Sequence, residues 1–389
     1  MTTRGRATEL IHRGQEKSWQ IDSVTVPIVE TTTFVFESAD EVRRYQEGTA
    51  RKYLYSRYAN PTVFAAEQKL AALDGAEAAL LFASGMAAIS TILLSLLKAG
   101  DEVVASSVLY GGTFHLIGDV LPRLGIRVRW ASLDELGDPD RLLGPQTKAF
   151  WLESPTNPTL RCFDVRRVAA ACRARGVVSV LDNTFACPIN QQPMALGVDL
   201  AMQSATKYLN GHADVTGGCV TGPAGLVGPI DQMRRLLGGV MDPQAAYALA
   251  RGLKTLPLRA ERHNTTAMAV ARFLSSDARV ERVFYPGLPS HPDHAVARAQ
   301  MTGFGGMVTF EVPGGLDRAG AVFDHLSLIR RATSLGGAES LASLPVLTSH
   351  YGYSAEALRR ADVTPGMIRL SVGLEDAADV IADLDQALG

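Results

Sequence analysis

The sequence predicts an α/β protein. A mostly parallel central sheet is covered on both faces, and a smaller α+β C-terminal region follows it. Two observations carry this reading. Between residues 61 and 255, short apolar runs bounded by turn residues alternate with helical stretches: "AALLFA", "DEVVAS", "RVRWAS", "AFWLES", "VVSVLD" and "DLAMQS". Runs of this length, separated by helices, suit strands buried on both faces. After Pro286 the pattern changes, with "GGMVTFEV" reading as a strand, "AGAVFDHL" as a helix and "MIRLSVGLE" as a late strand.

The remaining elements follow in chain order. Residues 1–60 are rich in polar and turn residues, and "VPIVETTTFVF" is extended and limited by proline. Such an arm packs on something else, and a neighbouring subunit is the natural candidate. "TVFAAEQKLAALDG" reads as an amphipathic helix ended by Gly75. "AALLFASGMAAISTILLSLL" is uncharged and long enough to span a bilayer. However, "SGM" interrupts it, and Asp74, Glu77, Lys98 and Asp101 flank it closely, so it reads as buried strand, tight turn and buried helix. The helical connector "AAYALARGLKTLPLRAERHNTTAMAVARFLSS" leads to the last region. The expected division is an arm over 1–60, an α/β domain over 61–255 and an α+β domain over 256–389.

Composition narrows the function. Lys+Arg is 38 and Asp+Glu is 40, a net charge of −2, which gives no reason to expect nucleic acid or a membrane as partner. Cys162, Cys172, Cys187 and Cys219 form no CxxC pair and read as reduced thiols of a cytoplasmic protein. The start "MTTRGRATEL" has no apolar signal region. His291 and His294 in "GLPSHPDH" read as loop residues, and no metal is assigned.

In open α/β sheets, ligands sit at the carboxyl ends of the strands. Ser84-Gly85-Met86 follows the first run and opens a helix, Tyr110 follows the second, and Asn157 follows "AFWLES". Asp182 ends the next run, and Ser204-Ala205-Thr206-Lys207 follows the last. Backbone N–H groups at Gly85 and Met86 suit a phosphate, with the Ser204 and Thr206 hydroxyls beside them. Tyr110 can lie over an aromatic ring. Asp182 can hold a ring nitrogen protonated, and Lys207 can form an imine with an aldehyde. Taken singly these are a turn, a cap, a core tyrosine and a solvated lysine. Together they describe the parts of pyridoxal 5′-phosphate (PLP).

The motifs "YSRYANPT", "FASGMAA", "YGGT", "ESPTNP", "DNTFACP", "QSATKYLNGHAD", "SLGG" and "IRLSVGLE" occur over nearly the whole chain. In order and approximate spacing they resemble the Cys/Met-metabolism PLP-dependent enzymes. That family includes cystathionine γ-synthase, cystathionine γ-lyase, methionine γ-lyase and cystathionine β-lyase. The resemblance implies the aminotransferase-like fold type I and PLP as cofactor. It implies an amino-acid substrate and a homotetramer built from dimers. Lys207 resembles the Schiff-base lysine, Asp182 the ring-nitrogen partner and Tyr110 the stacking ring with a catalytic phenol. Gly85, Met86, Ser204 and Thr206 fall at the phosphate positions, and Tyr55 and Arg57 match a pair that reaches a neighbouring subunit's phosphate. Arg369 matches the arginine for the substrate carboxylate, assisted by Asn157 and Ser334.

Departures from the family bear on specificity. Cystathionine-handling γ-enzymes usually carry Glu before the "SLGG" serine, where this chain has Thr333, and Arg shortly after "YGGT", where it has Phe114-His115. His115 reads either as a new polar contact to substrate or as a packed histidine. Methionine γ-lyases characteristically carry Cys where this chain has Gly112. The resemblance implies γ-elimination or γ-replacement of the cystathionine γ-lyase or γ-synthase type. Methionine γ-lyase is the first alternative, followed by cystathionine β-lyase and O-acylhomoserine sulfhydrylase. A PLP-fold scaffold without turnover is the reading from a different class.

Overall fold

A computed structural model describes residues 5–14, 23–50 and 52–389; residues 1–4, 15–22 and 51 of the expected arm lie outside the described residues. The main sheet contains β1 (Ala78–Phe82), β2 (Glu102–Ser106), β3 (Arg127–Ala131), β4 (Thr147–Glu153), β5 (Val178–Asp182), β6 (Leu200–Gln203) and β7 (Gly218–Gly222). Their spatial order is β1-β7-β6-β5-β4-β2-β3. β2 pairs in parallel with β3 and β4, and β4–β5 and β5–β6 are also parallel. β7 runs antiparallel to both β1 and β6. The other strands therefore point one way and deliver their carboxyl ends to one edge.

β7 is the strand that apolar patterning does not reveal. It reads "GCVTG" and sits inside the sheet, because close approach replaces side-chain bulk there. A Cβ on Gly218 would lie 2.3 Å from the Ser84 carbonyl oxygen, and one on Gly222 would lie 2.7 Å from that of Asp199. Gly218 lets β7 press against the turn that leaves β1, and Gly222 lets its other end press against the residue that leads into β6.

The Pro61–Asp74 helix is capped by the Asn60 side chain and closed by Gly75 at φ 65°, in the left-handed region that glycine tolerates. It is not amphipathic as expected. Nearly every residue is buried, including Glu67, Lys69 and Asp74, because the helix packs against the Pro243–Leu253 helix, β1 and the short Arg6–His12 helix. Lys69 donates to the Leu10 carbonyl at 2.8 Å and the Ile11 carbonyl at 3.2 Å. The start of the arm thus docks on its own chain, while Val35 further along is 86% exposed.

The C-terminal sheet holds β8 (Arg282–Phe284), β9 (Met307–Glu311), β10 (Arg330–Arg331), β11 (Leu341–Ser343) and β12 (Met367–Ser371), ordered β10-β11-β12-β9-β8. Helices Leu256–Ser276, Gly315–His325 and Ala377–Leu388 pack against it around Val308, Phe310, Ile368 and Leu384. His291 Nε2 lies 3.3 Å from the Thr159 carbonyl oxygen and His294 Nδ1 2.7 Å from that of Pro286, so both rings meet backbone. No helix among the described residues is long and apolar enough to cross a membrane.

Arg234 clips the layers below the site together. It donates to Glu67 Oε1 at 2.8 Å and to the Leu81 carbonyl at 2.7 Å, and Glu67 accepts the Leu81 N–H at 3.0 Å. Removing one partner of a buried pair leaves the other charge uncompensated. Arg234→Ala should therefore destabilise the fold by about 3–5 kcal/mol, read as a lower urea midpoint at an unchanged slope. An unchanged midpoint would refute this role.

Candidate active site

After β6 ends at Gln203, the chain folds back through a compact turn in which Lys207 N–H donates to the Ser204 carbonyl at 3.2 Å. Lys207 Nζ then donates to Ser334 Oγ at 2.8 Å. Ser334 has φ 85°, a left-handed conformation that costs a non-glycine residue and marks a constrained position. Its carbonyl accepts from Arg369 Nη2 at 3.4 Å, and Arg369 Nη1 donates to Asn157 Oδ1 at 2.9 Å. Lys207, Ser334, Arg369 and Asn157 are therefore joined by three consecutive contacts across both sheets.

Among the described residues neither cation forms a salt bridge, although the Glu153 carboxyl lies near enough to Arg369 to oppose the fall of its pKa. The hydrogen bonds of Arg369 go to neutral oxygens although it is only 7% exposed. Burial lowers its pKa to about 10. Burial, helped by the Arg369 charge, lowers Lys207 to about 8. A lysine so perturbed holds much more neutral amine near pH 8 than a solvated one.

Asp182, at the end of β5, is buried and accepts the Thr184 N–H at 3.0 Å. Burial raises its pKa, and the Thr184 hydrogen bonds oppose that rise. Beside it in parallel register, Glu153 ends β4 and accepts the Tyr110 N–H at 2.7 Å. Tyr110 itself is 48% exposed at the mouth of the site. A Cβ on Gly112 would come within 2.7 Å of both Met86 Sδ and the Tyr110 ring. The glycine thus seats the ring close to the Gly85–Leu96 helix.

That helix starts at Gly85, with Ser84 Oγ accepting the Ala87 N–H at 3.0 Å. The N–H groups of Gly85 and Met86 have no acceptor within the helix, which makes this end an anion site. A Cβ on Gly85 would meet Ser204 Cβ at 3.3 Å, so the Ser204 side chain closes the same cradle. Thr206 differs from expectation in its bonding. Its hydroxyl donates to the Gly217 carbonyl at 3.2 Å and accepts the Gly217 N–H at 2.9 Å. Donating to a phosphate would require giving up the first of these bonds.

Arg57 and Tyr55, expected to serve a neighbouring subunit, stand away from this chain's own Lys207, and Thr333 and His115 lie at the surface. Arg57 donates to the Arg235 carbonyl at 2.8 Å and lies over the Tyr55 and Tyr58 rings. Its recorded partners are not those of Lys207, and it lines a cavity with Thr31, Asn60 and Met241. Thr333 is exposed. His115 is exposed as well and sits 2.8 Å from Asp119, one helical turn away. Phe114 stacks on Trp130 with centroids 4.6 Å apart. The structure does not bring His115 to Arg369. Glu153 was missed by sequence reasoning. Its signal was a carboxylate at the end of a buried strand, in the same position as Asp182.

The residues present fit PLP on their own geometry. A helix end whose first two N–H groups lack acceptors, a glycine against Ser204, a buried carboxyl and a lysine with a lowered pKa are arranged along one sheet edge. The comparisons agree. The family described as "Cys/Met metabolism PLP-dependent enzyme" matches residues 7–389. The chain is 43% identical to cystathionine gamma-lyase of Mus musculus, over 98% of this chain and 94% of that protein. It is 40% identical to L-methionine gamma-lyase of Pseudomonas putida, over 99% and 97%. It is also 40% identical to the chloroplastic cystathionine gamma-synthase 1 of Nicotiana tabacum, over 97% and 71%. The crystal structure of metB from Corynebacterium glutamicum superposes with a TM-score of 0.93 at 38% identity, covering 99% of this chain and 98% of that one.

The lowered Lys207 pKa has a stability consequence in the cofactor-free protein. Below pH 8 both folded and unfolded states carry the proton, and the fold bears the cost of burying it. Between about 8 and 10.5 the unfolded chain still binds a proton that the folded one has released, so stability rises with pH. Lys207→Met should therefore be more stable than the parent apo-protein by about 2 kcal/mol at pH 7. The gain should shrink from pH 8 and vanish above 10.5. Thermal melts across this range check it, and a pH-independent difference would contradict it.

Proposed function

The chain belongs to the Cys/Met metabolism PLP-dependent enzyme family, and we propose that it catalyses γ-elimination or γ-replacement on a sulfur amino acid of the cystathionine type. One observation carries this reading. Lys207 Nζ and the Arg369 guanidinium meet on opposite sides of Ser334, at 2.8 Å from its hydroxyl and 3.4 Å from its carbonyl oxygen. An α-amino acid needs that pair, a base at its Cα–H and a cation at its carboxylate.

Gly85, Met86 and Ser204 would hold the phosphate of PLP, Asp182 its ring nitrogen, and Tyr110 its ring face. When bound, the protonated ring supplies an electron sink for charge developing at Cα. Arg369 and Asn157 orient the carboxylate. Lys207 Nζ takes the proton from Cα, and Ser334 Oγ, already its hydrogen-bond partner, keeps the amine aimed. After handing the first proton on to the cofactor side, Lys207 Nζ takes a second one from Cβ, and the Tyr110 hydroxyl donates its proton to the departing sulfur at Cγ. Attack by a thiol gives replacement, and hydrolysis gives a 2-oxo acid and ammonia.

Gly112 supports the cystathionine-handling type over the methionine type, since a side chain there requires the Tyr110 ring or Met86 to move. Methionine γ-lyase stays as the second reading because of Thr333, which places no charge beside Ser334. We place the enzyme in the cytoplasm as a homotetramer. Its four cysteines are buried and unpaired. Arg57 and Tyr55 stand apart from the Lys207 cluster, and Leu236 is 81% exposed.

Lys207→Ala should abolish the cofactor's visible band and lower turnover by roughly a thousandfold or more; full activity would sink the assignment. A panel of L-cystathionine, L-methionine and an O-acylhomoserine, each with and without L-cysteine, separates the reactions by the 2-oxobutyrate, cystathionine or methanethiol formed. Methanethiol from methionine alone would replace the cystathionine reading with the methionine one.

A further inference from the structure

Glu153 has no role in the chemistry above, although it touches several parts of the site. It stands beside Asp182 across a parallel strand pair. Its Oε2 accepts the Tyr110 N–H at 2.7 Å, and the Asn157 backbone lies close enough to favour its ionised form. Its Oε1 is buried without a hydrogen-bond partner. The charged and titratable groups facing it are Asp182 on β5, Arg369 on β12 and Tyr353 in the segment that follows Leu344. Two ionised carboxylates at neighbouring buried strand ends repel each other. Asp182 is the one a ring nitrogen would keep ionised.

We propose that Glu153 is a positioning residue for cofactor and substrate. It ties the Tyr110 turn to the end of β4, beside the Asn157 turn, and so fixes the ring above the cofactor next to the amide that meets Arg369. Asn157 Oδ1 in turn receives Arg369 Nη1 at 2.9 Å. Burial and the neighbouring Asp182 both raise the Glu153 pKa well above the usual carboxylate range, which weakens its competition with a substrate carboxylate for Arg369. This inference rests on the PLP reading of the site.

The test compares wild type, Glu153→Gln and Glu153→Leu. Glutamine keeps an acceptor oxygen and lacks a charge, whereas leucine fills the space and leaves the Tyr110 N–H unpaired. The readouts are the PLP dissociation constant of stripped protein, the visible circular dichroism of loaded protein, and KM and kcat measured separately. Far-UV circular dichroism and melting report folding. The glutamine variant should stay within about threefold of wild type throughout. The leucine variant should weaken PLP binding and raise KM by about tenfold or more, with an altered visible spectrum and a smaller change in kcat. If the leucine variant does not fold, Glu153→Asp, which withdraws the acceptor by one methylene, takes its place with the same expectations. A leucine variant equal to wild type would overturn the proposal. So would a glutamine variant as impaired as leucine, because charge would then matter rather than the hydrogen bond. Failure of the PLP reading is distinguishable, since wild type itself would then show no cofactor band.

Discussion

Two cations brought together without a salt bridge, the buried Arg369 and the half-buried Lys207, organise this molecule. Lys207 and Arg369 share Ser334 and otherwise meet neutral oxygens, so the folded protein bears a desolvation cost that its own side chains do not relieve. That cost is borne by rigid elements. Lys207 stands on the turn after β6, Arg369 sits mid-strand in β12, and Ser334 is held in a backbone conformation it would not choose. Lys207 is fixed by the large sheet, and Arg369 and Ser334 are fixed by the small one, so the cluster exists only where the two sheets meet.

The large sheet supplies the cofactor side of this arrangement. Because all its strands except β7 point the same way, successive strand ends place the Gly85 turn, Tyr110, Glu153, Asp182 and Lys207 along one edge. The smaller sheet supplies the carboxylate side through Arg369 and Ser334. β7 is the exception in direction, and Gly218 at its start allows the turn after β1 to pack directly against it.

Much of this was legible in the sequence. The parallel strands announced themselves as short apolar runs, and the residues after them were the chemical ones. Patterning failed where packing rather than polarity decides. "GCVTG" becomes an interior strand because glycine permits contact, which no apolar count registers. The Pro61–Asp74 helix read as amphipathic because Glu67, Lys69 and Asp74 are polar letters, yet Glu67 is satisfied by Arg234 and the Leu81 N–H, and Lys69 by helix-end carbonyls. Thr206 was read by its hydroxyl alone, and its engagement with Gly217 depends on a loop that returns eleven residues later. Glu153 was overlooked because a single carboxylate at a strand end gains meaning only from the neighbour beside it.

The left-handed backbone at Ser334 gives adjacent positions unequal freedom to diverge. At 334 the backbone penalises branched and bulky side chains, and the hydroxyl is engaged by Lys207, so drift there damages the centre itself. One residue earlier, Thr333 is exposed. A lineage can therefore exchange Glu, Thr or an apolar residue at 333 while the catalytic base stays aimed. Such a pairing of a constrained residue with a free neighbour leaves position 333 open to substitution while position 334 is held.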